Sequence, residues 1–152
     1  RMQDLDFVTF ETNGTQALSD DFSEYMDKWH SRLLPELGRF REMQFSVSPK
    51  LSASGEKWED AIKPEVVEQY QRYGVTYLKF VVASQEDAEE AKEAEMAYRD
   101  AGFKGPVYVM PVGGVESVYA LNNRRVAEIA MKQGWRYSDR LQVPLFKNEW
   151  GT

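Results

Sequence analysis

The side chains of this sequence best suited to holding a charged small molecule are Glu11, Ser46, Ser48, Lys50 and Lys79. Their neighbours place them on strands. In "MQFSVSPK" the apolar Met43, Phe45 and Val47 alternate with Gln44, Ser46, Ser48 and Lys50. Successive strand side chains point to opposite faces, so the four polar residues share one surface. The run stops at Pro49, with Lys50 just past its end. The same alternation puts Thr9 and Glu11 on one face of "LDFVTFE", which closes on the turn-like "TNGT". Lys79 stands amid "VTYLKFVV", and "VYVMPVGG" ends on the pair Gly113-Gly114. One carboxylate, two ammonium groups, hydroxyls and a glycine pair suit a zwitterionic ligand. Glu11 would pair an ammonium or ribose hydroxyls, Lys50 would pair a carboxylate, and the glycines would let backbone amides approach closely. That is binding chemistry rather than proton transfer. Each motif also has a plain structural reading: Asn-Gly makes turns, Ser-Pro ends strands, and a lysine stem can lie along apolar surface.

Composition narrows the alternatives. The chain has 152 residues, is 42% hydrophobic and 13% aromatic, and carries a formal net charge of −6. That is enough for a single globular domain with a sizeable core. The acidic balance argues against nucleic acid as a partner. No apolar run approaches the roughly 20 residues that a bilayer span needs, and the opening "RMQDLDF" is too polar for a secretory signal. A cytoplasmic location is expected. Without cysteine, this stretch offers neither disulfides nor thiolate ligands. A single histidine, His30, on a predicted helix gives weak grounds for a metal site or a Ser-His-Asp triad.

These residues need a scaffold of alternating elements. Strands are expected at Leu5 to Glu11, Met43 to Ser48, Val75 to Val82 and Pro106 to Val112. Between them, Phe22, Tyr25, Met26, Trp29 and Leu33 mark one apolar helix face in "DDFSEYMDKWHSRLL". "EVVEQYQRYG" reads as a helix with Gly74 as its C-cap. "SQEDAEEAKEAEMAYRDAG" carries Ser84 at the cap position and a small inner face of Ala91, Ala94, Tyr98 and Ala101. A last helix from about Ser117 to Gln133 would bury Val118, Leu121, Val126 and Ile129, and the aromatic tail suggests a further strand. Strands alternating with helices imply βαβ units on a parallel sheet. Ligands of such sheets lie beyond the carboxyl ends of the strands, where the candidate residues cluster.

The order of the motifs carries a more specific likeness. "FETNGT", "FSVSPKLS", "YLKFVV", "VYVMPVGG" and "RVAEIAMKQGWRYSDRLQVPLF" together resemble the 7-carboxy-7-deazaguanine synthase family of radical S-adenosylmethionine enzymes. The resemblance runs over nearly all of the chain but covers only the later part of the family's. It implies an α/β fold, a partial (βα) barrel of the radical SAM type with about four parallel strands here. Residues 1–152 would be a single-domain C-terminal part, without the family's three-cysteine motif and "GGEP" turn. It also implies S-adenosylmethionine as cofactor, with a 4Fe–4S cluster and Mg²⁺ held in the whole enzyme, and a pterin substrate. The reaction would convert 6-carboxy-5,6,7,8-tetrahydropterin to 7-carboxy-7-deazaguanine in the queuosine pathway, in a lyase that forms homodimers.

Carried over residue by residue, Ser48, Pro49 and Lys50 match the family's cofactor-binding "SPK", and Glu11 matches the acid of its "ETNGT" strand. Met110, Pro111, Val112 and Gly113 stand where other branches have a "QPxx" stretch contacting the same cofactor. Met110 replaces that Gln, so only backbone contacts transfer. Gln142 occupies the place of a His in related endings. Two alternatives remain open. A glycyl-radical activating enzyme shares the acid-Thr-Asn-Gly strand but follows it with Asp-Leu-Lys. A non-catalytic α/β module would bind a nucleotide-like ligand or a partner.

Overall fold

A computed structural model describes residues 5–30, 33–34, 39–113 and 116–147. In chain order the elements are β1 (Phe7–Thr12), α1 (Asp20–His30), β2 (Leu33–Leu34), β3 (Arg39–Phe40), β4 (Glu42–Val47) and a 3-10 turn at Ser52–Ser54. There follow α2 (Trp58–Ala61), α3 (Pro64–Tyr73), β5 (Val75–Val82), α4 (Gln85–Asp100), β6 (Val107–Pro111), α5 (Glu116–Gln133), β7 (Arg136–Tyr137) and α6 (Gln142–Phe146). The expected α/β architecture is present. A fifth strand, β7, joins the four that were expected. The tail from Tyr137, expected to add a further strand, gives β7 only its first residue and then turns into α6.

Five strands form one all-parallel sheet in the order β1-β4-β5-β6-β7, and β2 pairs antiparallel with β3. The order advances in one direction without reversing. Right-handed crossovers then bring every connecting helix to the same face, as in a barrel and unlike a doubly wound sheet. Burial follows. Met43, Phe45 and Val47 of β4, Leu78, Phe80 and Val82 of β5, and Val107 and Val109 of β6 are buried under helices. The alternate residues Thr9, Glu11, Gln44, Tyr77, Lys79, Tyr108 and Met110 are only partly covered or exposed. The open sheet fits a partial (βα) barrel whose interior is this second face.

The helix side is closed by aromatic contacts. Phe22 of α1 meets Phe10 edge-on at 5.9 Å, Phe10 stacks on Phe45 at 5.2 Å, and Phe45 stacks on Tyr70 of α3 at 4.7 Å. Such pairs contribute about 0.5–1.5 kcal/mol each beyond their buried area. Met26 and Trp29 are fully covered, whereas Tyr25 is 40% exposed and falls off the apolar face expected for α1. That helix ends at His30, earlier than expected, because Leu33–Leu34 pairs with β3. In α4 the Ser84 hydroxyl accepts from the Asp87 N–H at 3.0 Å while Asp87 accepts from the Ser84 N–H, closing a capping box. Ala88, Ala91, Ala94 and Tyr98 are buried, but Ala101 is exposed as the C-cap. In α5, Val126 and Ile129 are buried; the expected burial of Leu33, Val118 and Leu121 falls outside the described side chains.

Gly74 ends α3 for a different reason from the one expected. Its φ of −165° is extended, not left-handed. A Cβ there would lie 2.4 Å from the Met43 carbonyl oxygen. The missing side chain lets the helix end pass against β4.

Candidate functional site

The carboxyl ends of β1, β4, β5 and β6 surround an open cleft of about 490 Å³. Glu11, Ser48, Lys50, Lys79 and Met110 line it, joined by Ser46 and Arg140. An adjoining hollow of about 280 Å³ shares Lys50 and Arg140 with the cleft and adds Pro49, Val112 and Asp87. Of the sequence candidates, Pro111 is buried with the other helix-facing residues of β6. The Gly113 carbonyl accepts from Arg140 Nη1 at 3.3 Å. Gly114 lies outside the described residues, so the glycine pair is half seen. Gln142 is exposed on α6.

Local chemistry fixes each strand end. After β1, the Thr12 hydroxyl accepts from the Gly14 N–H at 3.0 Å, and the Asn13 side-chain oxygen accepts from the Thr15 hydroxyl at 2.9 Å. "TNGT" is therefore a self-capped turn; Thr12 and Asn13 line the cleft beside Glu11 with side-chain oxygens already engaged in the turn. After β4, the Ser48 hydroxyl donates to the Lys79 carbonyl at 3.0 Å, tying β4 to β5. Its proton is spent, so Ser48 has only lone pairs to offer a ligand. Pro49 is buried, Leu51 is 4% exposed, and the Glu90 carboxylate accepts from both the N–H and the hydroxyl of Ser52, at 2.8 and 2.7 Å. These contacts pin the loop that carries Lys50 against α4.

Electrostatically the cleft opposes the chain as a whole. Within a molecule of net charge −6, Lys50, Lys79 and Arg140 meet a single lining carboxylate, Glu11. Lys79 Nζ lies 3.7 Å from Glu11 Oε1, with the lysine side chain 19% exposed and the glutamate 74%. Lys50 is exposed and makes no hydrogen bond or ion pair among the described residues. Such a rim attracts an anionic group while keeping one acceptor for a cation or hydroxyl. Behind β1 and β4, burial raises the Tyr70 phenol despite the hydrogen bond from the Thr12 side chain. Tyr70 hence stays a neutral donor, to the Gln16 carbonyl, and braces the segment after the "TNGT" turn.

Arg140 was missed by sequence reasoning because β7 is only two residues long. Yet Arg140 follows the last residue of β7 by three positions, as Lys50 follows the last residue of β4. Once β7 is counted as a strand, Arg140 is its strand-end cation. Among the described residues no group of three or more His, Cys, Asp or Glu side chains is arranged to hold a metal ion.

Comparison with known proteins adds a likeness in sequence. The chain is similar to the 7-carboxy-7-deazaguanine synthase of Pyrobaculum aerophilum, with 30% identity over 117 residues. The likeness expected from the motifs is borne out. The match takes in 77% of this chain and 49% of that protein, so the chain spans about half the length of the relative it matches. That relative bears the name of an enzyme. No family model matches the chain, and no solved structure matches it. Among the described residues no helix is long and apolar enough to cross a membrane.

Proposed function

We propose that this chain is the cofactor- and substrate-binding portion of a 7-carboxy-7-deazaguanine synthase, a radical S-adenosylmethionine lyase of 7-deazapurine biosynthesis. The observation that carries the reading is the convergence of Glu11, Ser48 and Lys50 on one cleft at the carboxyl ends of parallel strands. The likeness to a named synthase supports the same reading.

The donor set fits S-adenosylmethionine. Lys50 would hold the methionyl carboxylate, Glu11 would take the ammonium or ribose hydroxyls, and the Ser48 lone pairs would accept from a further donor. Met110 and Val112 would give the base an apolar bed, with Gly113 close by. When bound, the cofactor supplies the radical chemistry, and this chain's residues bind and orient. The residues present do not fit a 4Fe–4S cluster, since the chain contains no cysteine thiolate. Cluster and Mg²⁺ would be held elsewhere in the whole enzyme, for which a homodimer is the proposed assembly.

Lys50→Met keeps the length of the side chain and removes its charge. A charge-assisted hydrogen bond is worth about 1.5–3 kcal/mol, so affinity for S-adenosylmethionine should fall on the order of 10- to 100-fold in the whole protein. Lys104→Met, exposed ahead of the amino end of β6, is the control and should bind as wild type does. Calorimetric titration decides. Equal affinity of the Lys50 variant and wild type would withdraw the cofactor assignment.

A further inference from the structure

Two donors at the floor of the cleft lack hydrogen-bond partners. Ser46 is 1% exposed, and its Oγ makes no hydrogen bond among the described residues. Folded chains seldom leave a buried hydroxyl without a partner, and an exception points to a missing ligand or water. Beside it, the Lys79 ammonium has its nearest opposite charge at 3.7 Å, beyond hydrogen-bonding distance, and no hydrogen bond among the described residues. Register explains why a hydroxyl on the open face is buried. β4 lies between β1 and β5, and Ser46 pairs with Glu11 on one side and Tyr77 on the other. The Glu11–Lys79 pair therefore runs obliquely over β4, from the level of Ser46 to that of Ser48.

We propose that this floor is a subsite separate from Lys50, in which Ser46 Oγ and Lys79 Nζ jointly take one oxygen of a carboxylate or carbonyl group. Glu11, 3.7 Å from Lys79 and largely exposed, stays with the cofactor at the rim. One ammonium against one carboxylate leaves the floor near neutral, which selects a monoanionic or neutral oxygen over a phosphate dianion. Val81 and Met110 line the same cleft and offer hydrocarbon to a ring. The ligand class is a planar heterocycle bearing a carboxylate or lactam edge. The assignment rests on the reading of the cleft given above and deepens it: the rim takes the cofactor, the floor takes the second reactant.

The test titrates the whole protein with 6-carboxy-5,6,7,8-tetrahydropterin, with S-adenosylmethionine, and with benzoate as a bare carboxylate probe. Ser46→Ala should weaken the pterin and benzoate about 10-fold, and Lys79→Met about 10- to 100-fold. S-adenosylmethionine should stay within about twofold in both variants. Unchanged pterin and benzoate affinities in both variants overturn the subsite, as does equal weakening of all three ligands. Failure of the proposed function looks different. There the wild type binds neither the pterin nor S-adenosylmethionine, while benzoate still binds and weakens in both variants, which upholds the floor subsite. A wild type that binds no benzoate and no pterin overturns it.

Discussion

Gly14 holds the end of β1 in place through what it lacks. Its φ of +81° lies in the left-handed region, where a Cβ is penalised, and a Cβ there would stand 2.6 Å from Val47 Cγ1. Val67 Cγ2 would lie at 3.3 Å on another side, so the crowding has no easy outlet. Gly14→Ala combines overpacking with backbone strain and should cost about 1–3 kcal/mol. Because the Gly14 N–H also caps Thr12, the change should disturb Glu11 as well as the core. Urea midpoints measure the first effect, and an unchanged midpoint would mean that the turn relaxes freely. The Asn-Gly pair announced this turn in the sequence, but not the packing against Val47 and Val67. Ser46 carries the same lesson in reverse. Alternation assigned it to the polar face correctly, yet a hydroxyl on that face gave no sign that it would be buried without a hydrogen-bond partner among the described residues.

At the scale of elements, α4 anchors both the loop that carries Lys50 and the approach to β7. Its Glu95 carboxylate accepts from Trp135 Nε1–H at 2.8 Å and pairs with Lys92 at 3.0 Å and Arg99 at 3.2 Å. Burial pushes the carboxyl up, but the Trp135 N–H, Lys92 and Arg99 outweigh it and hold the group below its ordinary value of 4.5. A depressed folded-state value means that the stabilisation is present above the unfolded value and is lost as pH falls through the folded one. Trp135→Phe removes one donor to this anion and should cost about 1.5–3 kcal/mol at neutral pH from the hydrogen bond. Part of any loss comes from the smaller ring, and that part is independent of pH. The gap between variant and wild type should therefore narrow in denaturation curves taken well below pH 4.5. A gap of constant size from pH 7 to pH 3 would assign the whole effect to packing. The capping box of α4 was readable from Ser84 and Asp87 because it is local in sequence. The Glu95–Trp135 bond joins residues forty positions apart, and no periodicity announces it.

Over the whole molecule, the four principal strands and four long helices were legible because each carries its own alternation or apolar stripe. The short pieces were not: α2, the β2–β3 pair and the two-residue β7 are too brief to set a period, and they form where the chain is placed by its neighbours. With β7 went Arg140, and with it the extent of the cleft's positive charge. The one-directional strand order has a further consequence, at the edge of the sheet. Among the described residues β1 pairs only with β4, so its outer edge presents unpaired backbone groups. Leu5 and Phe7 beside it are 47% and 46% exposed. An exposed apolar edge strand is a template for pairing with another chain, and a charge on the edge opposes such pairing. Residues 1–152 alone should therefore self-associate through β1, and Phe7→Lys should shift the population toward monomer. Phe7 shares the open face with Thr9 and Glu11, so the substitution spares the helix-side core. Leu145→Lys is the control, because Leu145 is 66% exposed on α6, away from the strand edge. Sedimentation velocity over a range of concentrations separates the cases. If wild type is monomeric throughout, or if Leu145→Lys disperses the assembly and Phe7→Lys does not, the β1 edge is not the surface through which copies meet.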